Sequence, residues 1–143
     1  MTQLVLPGDT NSLGSVFGGT VMSWIDICAA IAAQRHSNSE VVTASIDQMS
    51  FVAPVYKGWV VNLKASVNFV AKTSMEVGVR VDAENPKTGE TFHTASAYLT
   101  FVAIGSDGKP VLVPGLTLES ENDRRRFEKG QKRREYRVAN RAK

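Results

Sequence analysis

The stretch TVMSWIDICAAIAA, residues 20–33, decides the fold of this 143-residue chain. Its apolar side chains cover every direction around a helix, and a helix that is apolar all round is normally buried rather than laid on a surface. These fourteen residues are too few to cross a bilayer. The stretch therefore predicts a buried central helix around which the rest of the chain is arranged.

A single carboxylate, Asp26, lies midway along this apolar stretch. An unpaired carboxylate is costly to bury, so Asp26 must find strong partners, lose its charge, or open onto a ligand cavity. The last two outcomes suit a catalytic base. The alternative is a structural aspartate that backbone N–H groups or an arginine satisfy.

The glycine pair Gly18 and Gly19 comes directly before this stretch. Glycine lets the backbone approach a ligand closely, and a helix N-terminus presents unpaired N–H groups at the positive end of its dipole, which suits an oxyanion site. Gly19 and Asp26 are about two helical turns apart, so we expect them to line one groove, although a glycine pair is usually only a tight turn. Asn11, in the turn-forming run at residues 9–12, is a candidate polar contact.

Residues 7–19 (PGDTNSLGSVFGG) and 22–26 (MSWID) resemble the amino-terminal signature of hotdog-fold acyl-CoA thioesterases. The subgroup is the bacterial acyl-CoA hydrolases related to brain acyl-CoA hydrolase. The likeness continues through residues 41–51, 54–59, 72–75 and 97–103, and covers roughly residues 4 to 118. The resemblance implies hydrolysis of acyl-CoA thioesters, with no cofactor beyond the coenzyme A of the substrate.

The resemblance also implies roles for the candidate catalytic residues. Each active site would lie at a homodimer interface, with Asp26 from one subunit and Asn11 from the other. Asp26 would act on a water as a general base, or attack as a nucleophile that forms a short-lived anhydride, and the sequence leaves both open. Backbone N–H groups around Gly18 and Gly19 would stabilise the oxyanion.

Three further regions are candidates for substrate contact. The turn at residues 72–74 offers a cation and two hydroxyls, and the family uses this region near the pantetheine and pyrophosphate, but such a turn is often only a solvated hairpin. Trp24 and Phe51 are expected to close the acyl pocket. The predicted substrate-binding residues are Phe51, Lys72, Thr73, Ser74, Arg124 and Arg125.

Four segments after the helix have strand character: residues 41–52, 60–70, 77–83 and 91–104. In the third, valines at 77, 79 and 81 alternate with other residues, which is the period of a sheet with one buried face. With a short strand at residues 3–6, the chain predicts an α+β fold. A curved antiparallel sheet of about five strands wraps around one long buried helix, as in the hotdog fold that the resemblance implies.

Charge separates the C-terminal segment from the rest of the chain. Residues 119–143 contain ten Lys and Arg against five Asp and Glu, whereas residues 1–118 contain seven against nine. We expect a hotdog thioesterase domain at residues 1–118 and a basic C-terminal helix or tail at residues 119–143. The simplest interpretation of this segment is a solvated helix or frayed end, docked through Phe127, Tyr136 and Val138. The alternatives are a clamp for coenzyme A phosphates, or a patch for nucleic acid or an anionic membrane.

Several other chemistries find no support in the sequence. Cys28 is the only cysteine, which leaves no partner for a disulfide, and His36 and His93 do not resemble a metal site. There is no Gly-x-Ser-x-Gly elbow and no secretory signal, so we expect a cytoplasmic location. Exposed strand edges predict self-association, and the resemblance implies dimers that assemble into a tetramer or hexamer.

Two alternative functions can be weighed against the thioesterase. Another hotdog branch hydrates enoyl thioesters with a histidine in the loop before the helix, but residues 7–19 contain no histidine. A non-catalytic acyl-CoA sensor whose basic tail contacts nucleic acid would need a DNA-reading module, and none is visible. We therefore predict a thioesterase that does not bind nucleic acid, with the sensor as the alternative.

Overall fold

The computed structural model describes residues 1–141 and has the predicted α+β architecture. One antiparallel sheet has the strand order β1-β3-β4-β5-β2, and helix α1 packs against its inner face. The elements are β1 (Thr2–Leu4), a short 3-10 turn (Pro7–Asp9), α1 (Gly18–Ser37), β2 (Glu40–Phe51), β3 (Val60–Val70), β4 (Ser74–Glu84), β5 (Thr91–Ile104) and α2 (Glu121–Asn140).

The predicted alternation in β4 is confirmed. Val77, Val79 and Val81 are buried and pair antiparallel with β3 and β5. Because successive strand side chains point to opposite faces, Glu76 and Gly78 lie on the outer face. The inner face supplies most of the apolar core against α1.

Helix α1 is buried on one side only. Trp24, Ile25 and Ala29 pack into the core, whereas Ile27 is 51% exposed. Met22 is also exposed. The prediction of a helix buried all round is therefore wrong for a single chain, because one sheet covers only one side of a helix. The exposed apolar side chains leave α1 with an open surface of the kind that marks an interaction site.

Helix α2 packs on the outer face of the sheet. Phe127 packs against Phe69 with ring centroids 4.9 Å apart and the rings tilted by 57°, and Gly130 is buried where an added Cβ would lie 2.8 Å from Phe69 Cβ. The expectation of a frayed end is therefore wrong for Glu121–Asn140, which is a helix that docks on the sheet while most of its residues remain exposed to solvent. The expected docking of Tyr136 and Val138 is also wrong, since both are exposed. Residues 142 and 143 of the predicted tail lie outside the described residues.

A buried ion pair anchors α2 to the sheet. Arg133 donates two hydrogen bonds to the Glu76 carboxylate, at 2.8 and 2.6 Å, and its guanidinium lies 3.7 Å from the Tyr98 ring centroid. The hydrogen bonds to Glu76 raise the pKa of Arg133. Arg137 Nη1 lies 3.4 Å from Asp47 Oδ2 and 3.8 Å from Glu76 Oε2.

Within residues 1–141 no helix is long and apolar enough to span a bilayer.

Candidate active site

Asp26 faces strand β2 from the middle of α1. The Thr43 hydroxyl donates a hydrogen bond of 2.8 Å to Asp26 Oδ1. Oδ2 accepts no hydrogen bond from residues 1–141. Asp26 is half-buried, because α1 turns this position towards its open side, and its partner is a hydroxyl rather than the backbone N–H groups or arginine of the structural alternative. The carboxylate is thus held at one oxygen and free at the other, which suits a group that acts on water or substrate.

Thr43 is a candidate site residue that the sequence pattern does not identify. It lies in β2 opposite Phe101 of β5, and Phe101 is fully buried in the core. Threonine is common in strands because it is β-branched, so its residue type alone does not indicate a functional site. The available signal was a hydroxyl on the core-facing side of a strand that follows the helix carrying an aspartate.

The N-terminus of α1 offers free backbone donors, as expected. The N–H groups of Thr20 and Val21 donate to the Phe17 carbonyl, but those of Gly18 and Gly19 donate to no acceptor within residues 1–141. Neither glycine has a positive φ, so the pair opens the helix and does not form a left-handed turn. The two donors are therefore available to a ligand at this helix end.

A cavity of about 330 Å³ adjoins this helix end. Gly18 and Phe51 line it together, and the Phe51 ring lies 3.7 Å from the position of a Cβ added to Gly18. Gly19 and Asp26 do not line it, so the expected groove with donor and base in one wall is not present in a single chain. The other lining residues are Ser15, Val16, Val21, Val52, Ala53, Pro54, Val55, Thr94 and Ala95.

Asn11 is held within its own loop. Its Oδ1 accepts hydrogen bonds from the Leu13 and Ser15 N–H groups, at 2.9 and 3.3 Å. Its amide donates to Ser15 Oγ at 3.1 Å. Among residues 1–141 no hydrogen bond joins Asn11 to Asp26, so a single chain does not pair these two candidates.

The turn at residues 72–74 lies between β3 and β4. Its backbone carbonyls accept hydrogen bonds from other segments of the same chain. The Lys72 carbonyl accepts from Val113 N–H, and the Thr73 carbonyl accepts from Ala103 N–H. The Lys72 side chain is exposed and forms no salt bridge within residues 1–141. The turn therefore carries an unpaired cation within the described residues. No hydrogen bond in residues 1–141 links the turn to Asp26.

Arg124 and Arg125 lie in the first turns of α2, and both are exposed. They stand on the outer face of the sheet, whereas Asp26 and Thr43 lie on the inner face. Only Arg125 lines a cavity, a groove between α2 and the sheet. A single chain therefore separates these arginines from the candidate catalytic residues.

Cys28 and the two histidines make local contacts only. Burial raises the pKa of the Cys28 thiol, whose sulfur lies 3.7 Å from the Leu63 carbonyl oxygen. His36 Nε2 lies 2.9 Å from the Pro114 carbonyl oxygen and His93 Nε2 lies 2.7 Å from Ser96 Oγ. The described part of the chain contains no cluster of three or more His, Cys, Asp or Glu that could hold a metal ion.

Comparison with known proteins connects this geometry to a family. Residues 13–90 match the family model of the thioesterase superfamily. An uncharacterized acyl-CoA thioester hydrolase of Bacillus subtilis is 45% identical over 122 residues, which are 85% of this chain and 71% of that protein. The cytosolic acyl coenzyme A thioester hydrolase of Rattus norvegicus is 37% identical over 93% of this chain, which spans about a third of the rat protein (35%).

Solved structures agree with these sequence matches. An apo-hexameric acyl-CoA thioesterase superposes with a TM-score of 0.94 at 44% identity, over 99% of this chain and 91% of that one. The acyl-CoA hydrolase of Staphylococcus aureus was solved with butyryl coenzyme A and coenzyme A. It superposes with a TM-score of 0.91 at 37% identity, over 99% of this chain and 87% of that one. These matches confirm the resemblance to hotdog-fold acyl-CoA thioesterases, and the chain belongs to the thioesterase superfamily.

Proposed function

We propose that this protein hydrolyses acyl-CoA thioesters to free coenzyme A and a carboxylic acid. The observation that carries the proposal is the Asp26 carboxylate, oriented by Thr43 and open at its second oxygen, in a chain whose relatives are named acyl-CoA thioester hydrolases. No cofactor is needed for this reaction as proposed. A cytoplasmic location also stays a proposal, supported by the cytosolic rat relative.

Variants of a neighbour support the choice of residues. The Staphylococcus aureus enzyme has been solved with alanine in place of one asparagine, one aspartate and one threonine. These three positions are separated along that chain by the same numbers of residues as Asn11, Asp26 and Thr43 are here. We infer that Asn11, Asp26 and Thr43 form the corresponding set.

Asp26 Oδ2 has two chemically balanced roles. As a general base, it takes a proton from water while the water oxygen adds to the thioester carbonyl carbon; the C–S bond then breaks, and the proton held by Asp26 passes to the departing thiolate. As a nucleophile, Oδ2 adds to the carbonyl carbon, the thiolate leaves, and water hydrolyses the resulting anhydride. In both, the Thr43 hydroxyl fixes the carboxylate through Oδ1 and so sets the direction of attack.

The oxyanion donors would come from a second copy of the chain. The free N–H groups of Gly18 and Gly19 lie at the helix end, where Gly18 lines a cavity that does not reach Asp26 of the same chain. The open side of α1 exposes Met22 and Ile27, and a second copy would bury them. Pairing of two such surfaces would place Asp26 of one subunit opposite the donors and Asn11 of the other. Hexameric neighbours support self-association.

The cavity beside Gly18 would take the acyl chain. Val21, Phe51 and Val55 give it an apolar wall, and Phe51 is half-exposed at its mouth. Its volume of about 330 Å³ lies at the small end of the range for small-molecule sites. An acyl chain here would place the thioester near the α1 N-terminus, where the developing oxyanion needs its donors.

Mixing two inactive variants tests whether the site is shared. Asn11→Asp keeps the Oδ1 acceptor that orders its loop but replaces the amide, and Asp26→Asn removes the base. In a mixed dimer one of the two active sites retains both native residues. Coexpressed subunits should therefore regain roughly a quarter of native activity, since about half of randomly paired dimers are mixed. Activity that stays at the sum of the two single variants would place the whole site within one chain.

Thr43→Val tests the orientation of the carboxylate. Loss of one hydrogen bond of about 1.4 kcal/mol should lower kcat about tenfold, with KM little changed because the proposed role of the hydroxyl is to orient the carboxylate and not to bind substrate. Steady-state kinetics with one acyl-CoA ester measures both parameters. Thr43→Ser is the matched control and should retain most of kcat. Equal kcat values for native, Val and Ser proteins would exclude this role for Thr43.

A further inference from the structure

The loop that carries Asn11 is closed by Ser15. The Asn11 N–H donates to the Ser15 carbonyl at 2.8 Å, and the Gly14 N–H donates to the Asn11 carbonyl at 3.0 Å. Gly14 has a φ of 80°, a left-handed conformation that glycine adopts without steric cost, so the chain can turn back on itself here. The turn brings the Ser15 side chain beside that of Asn11.

Ser15 is fixed to the body of the fold. It forms an isolated antiparallel bridge with Tyr56, and the N–H of the next residue, Val16, donates to the Val55 carbonyl at 2.9 Å. Val55 is buried and belongs to the apolar core. Ser15 therefore gives a fixed support to a loop whose tip is exposed at Leu13.

The Ser15 hydroxyl contacts the Asn11 amide directly. One end of this amide accepts hydrogen bonds from the backbone N–H groups of Leu13 and Ser15, so that end is the oxygen, Oδ1. The other end, Nδ2, donates to Ser15 Oγ at 3.1 Å, and Ser15 Oγ lies 3.3 Å from Oδ1. Two backbone groups thus hold Oδ1, whereas Ser15 Oγ is the partner of Nδ2 within residues 1–141.

The second N–H of the Asn11 amide is left for a ligand. An amide nitrogen carries two hydrogens, and only one of them points at Ser15 Oγ. Because the amide group is planar, fixing the direction of one N–H also fixes the direction of the other. Asn11 is half-buried, so the second N–H stays accessible. The Ser15 hydroxyl therefore helps to set the direction in which Asn11 donates.

Ser15 also lines the cavity beside Gly18, whereas Asn11 does not. It lies three residues before Gly18 in the chain, whose N–H is one of the free donors at the α1 N-terminus. One short stretch of chain thus connects the Asn11 amide, the cavity proposed for the acyl chain and the proposed oxyanion donors. Ser15 is placed to hold these three parts in a fixed relation.

We propose that Ser15 is a positioning residue of the thioesterase site and orients the free N–H of Asn11 towards the substrate. This role rests on the proposed function, because Ser15 acts only through Asn11. A small apolar residue would serve as well in the cavity wall, but only a side chain with an acceptor can hold Nδ2. In the proposed dimer, Ser15 supports the site that contains Asp26 of the other subunit.

Steady-state kinetics of Ser15→Ala tests the proposal. Loss of the acceptor should lower kcat about fivefold, the effect of one neutral hydrogen bond, with KM within about twofold of native. The factor should be the same for a short and a long acyl-CoA ester, because orientation of Asn11 does not depend on chain length. Ser15→Thr keeps the hydroxyl and should recover most of kcat. Ser12→Ala is the matched control, since it removes an exposed hydroxyl from the same loop.

The double variant shows whether Ser15 acts through Asn11. Asn11→Ala removes the group that Ser15 positions, so adding Ser15→Ala should change kcat by less than about twofold. A second loss of about fivefold would show that Ser15 acts independently and would overturn the inference. So would native kcat in Ser15→Ala, or a loss that grows with chain length.

Failure of the proposed function gives a different result. Native kcat in Asn11→Ala would remove Asn11 from the mechanism, and this role of Ser15 with it. Absence of hydrolysis by the native protein would contradict the hydrolase itself. A loss in Asn11→Ala without any loss in Ser15→Ala would overturn only the positioning role.

Discussion

Asp26→Asn is expected to lower kcat for acyl-CoA hydrolysis at least about a hundredfold, which corresponds to about 2.7 kcal/mol of activation free energy. Asparagine has nearly the same shape as aspartate, and its carbonyl oxygen can still accept the hydrogen bond that Thr43 donates. It can neither take a proton from water nor form an anhydride. The loss should therefore appear in kcat, with KM within a few-fold of native.

Asp107→Asn is the matched control, because it makes the same chemical change in an exposed turn. Its kcat should equal that of the native protein. Circular dichroism should show the same helix and strand content for all three proteins. If Asp26→Asn retained more than about a third of native kcat, Asp26 would be a structural residue, and the mechanism proposed above would be wrong.

Arg133→Ala should lower the free energy of unfolding by about 3–5 kcal/mol, which is typical when one partner of a buried ion pair is removed. Glu76 is 1% exposed, so its carboxylate would lose both short hydrogen bonds and retain only Arg137, at 3.8 Å. Urea unfolding followed by circular dichroism measures the change, with the protein concentration held constant because the proposed self-association would make the unfolding midpoint depend on concentration.

Arg134→Ala serves as the control, since Arg134 forms no salt bridge within the described chain. Its effect should stay within about 0.5 kcal/mol of native. The double variant Glu76→Leu with Arg133→Leu should recover much of the loss, because an apolar pair removes the uncompensated charge. A loss below about 1 kcal/mol for Arg133→Ala would show that this ion pair does not anchor α2.

The sequence predicted the sheet and α1 because their signals are local. The valines of β4 alternate with the period of a strand, and the apolar run in α1 is long and interrupted only by Ser23 and Asp26. The same run misled the prediction of burial. The apolar side chain of Ile27 predicts that it is buried. It does not indicate whether the sheet or a second copy of the chain buries it.

Contacts between distant elements were harder to predict. Thr43 and Asp26 are seventeen residues apart, and their pairing depends on how β2 returns beside α1. Glu76 lies on the outer face of β4, where α2 buries it, and no local pattern in the sequence indicates that cover. The spacing of Phe127, Gly130 and Arg133 places them along one side of α2, and that pattern could have predicted the docked helix.

Release of coenzyme A by the native protein is the measurement that tests the proposed function most directly. Acyl-CoA esters of graded chain length are supplied, and the free thiol is followed with a thiol-reactive dye. Cys28 should contribute little signal, because it is buried and its pKa is raised. We expect turnover of at least one ester, with a preference set by the small cavity beside Gly18 and Phe51. Binding of the esters without any release of coenzyme A would contradict the hydrolase and favour an acyl-CoA sensor.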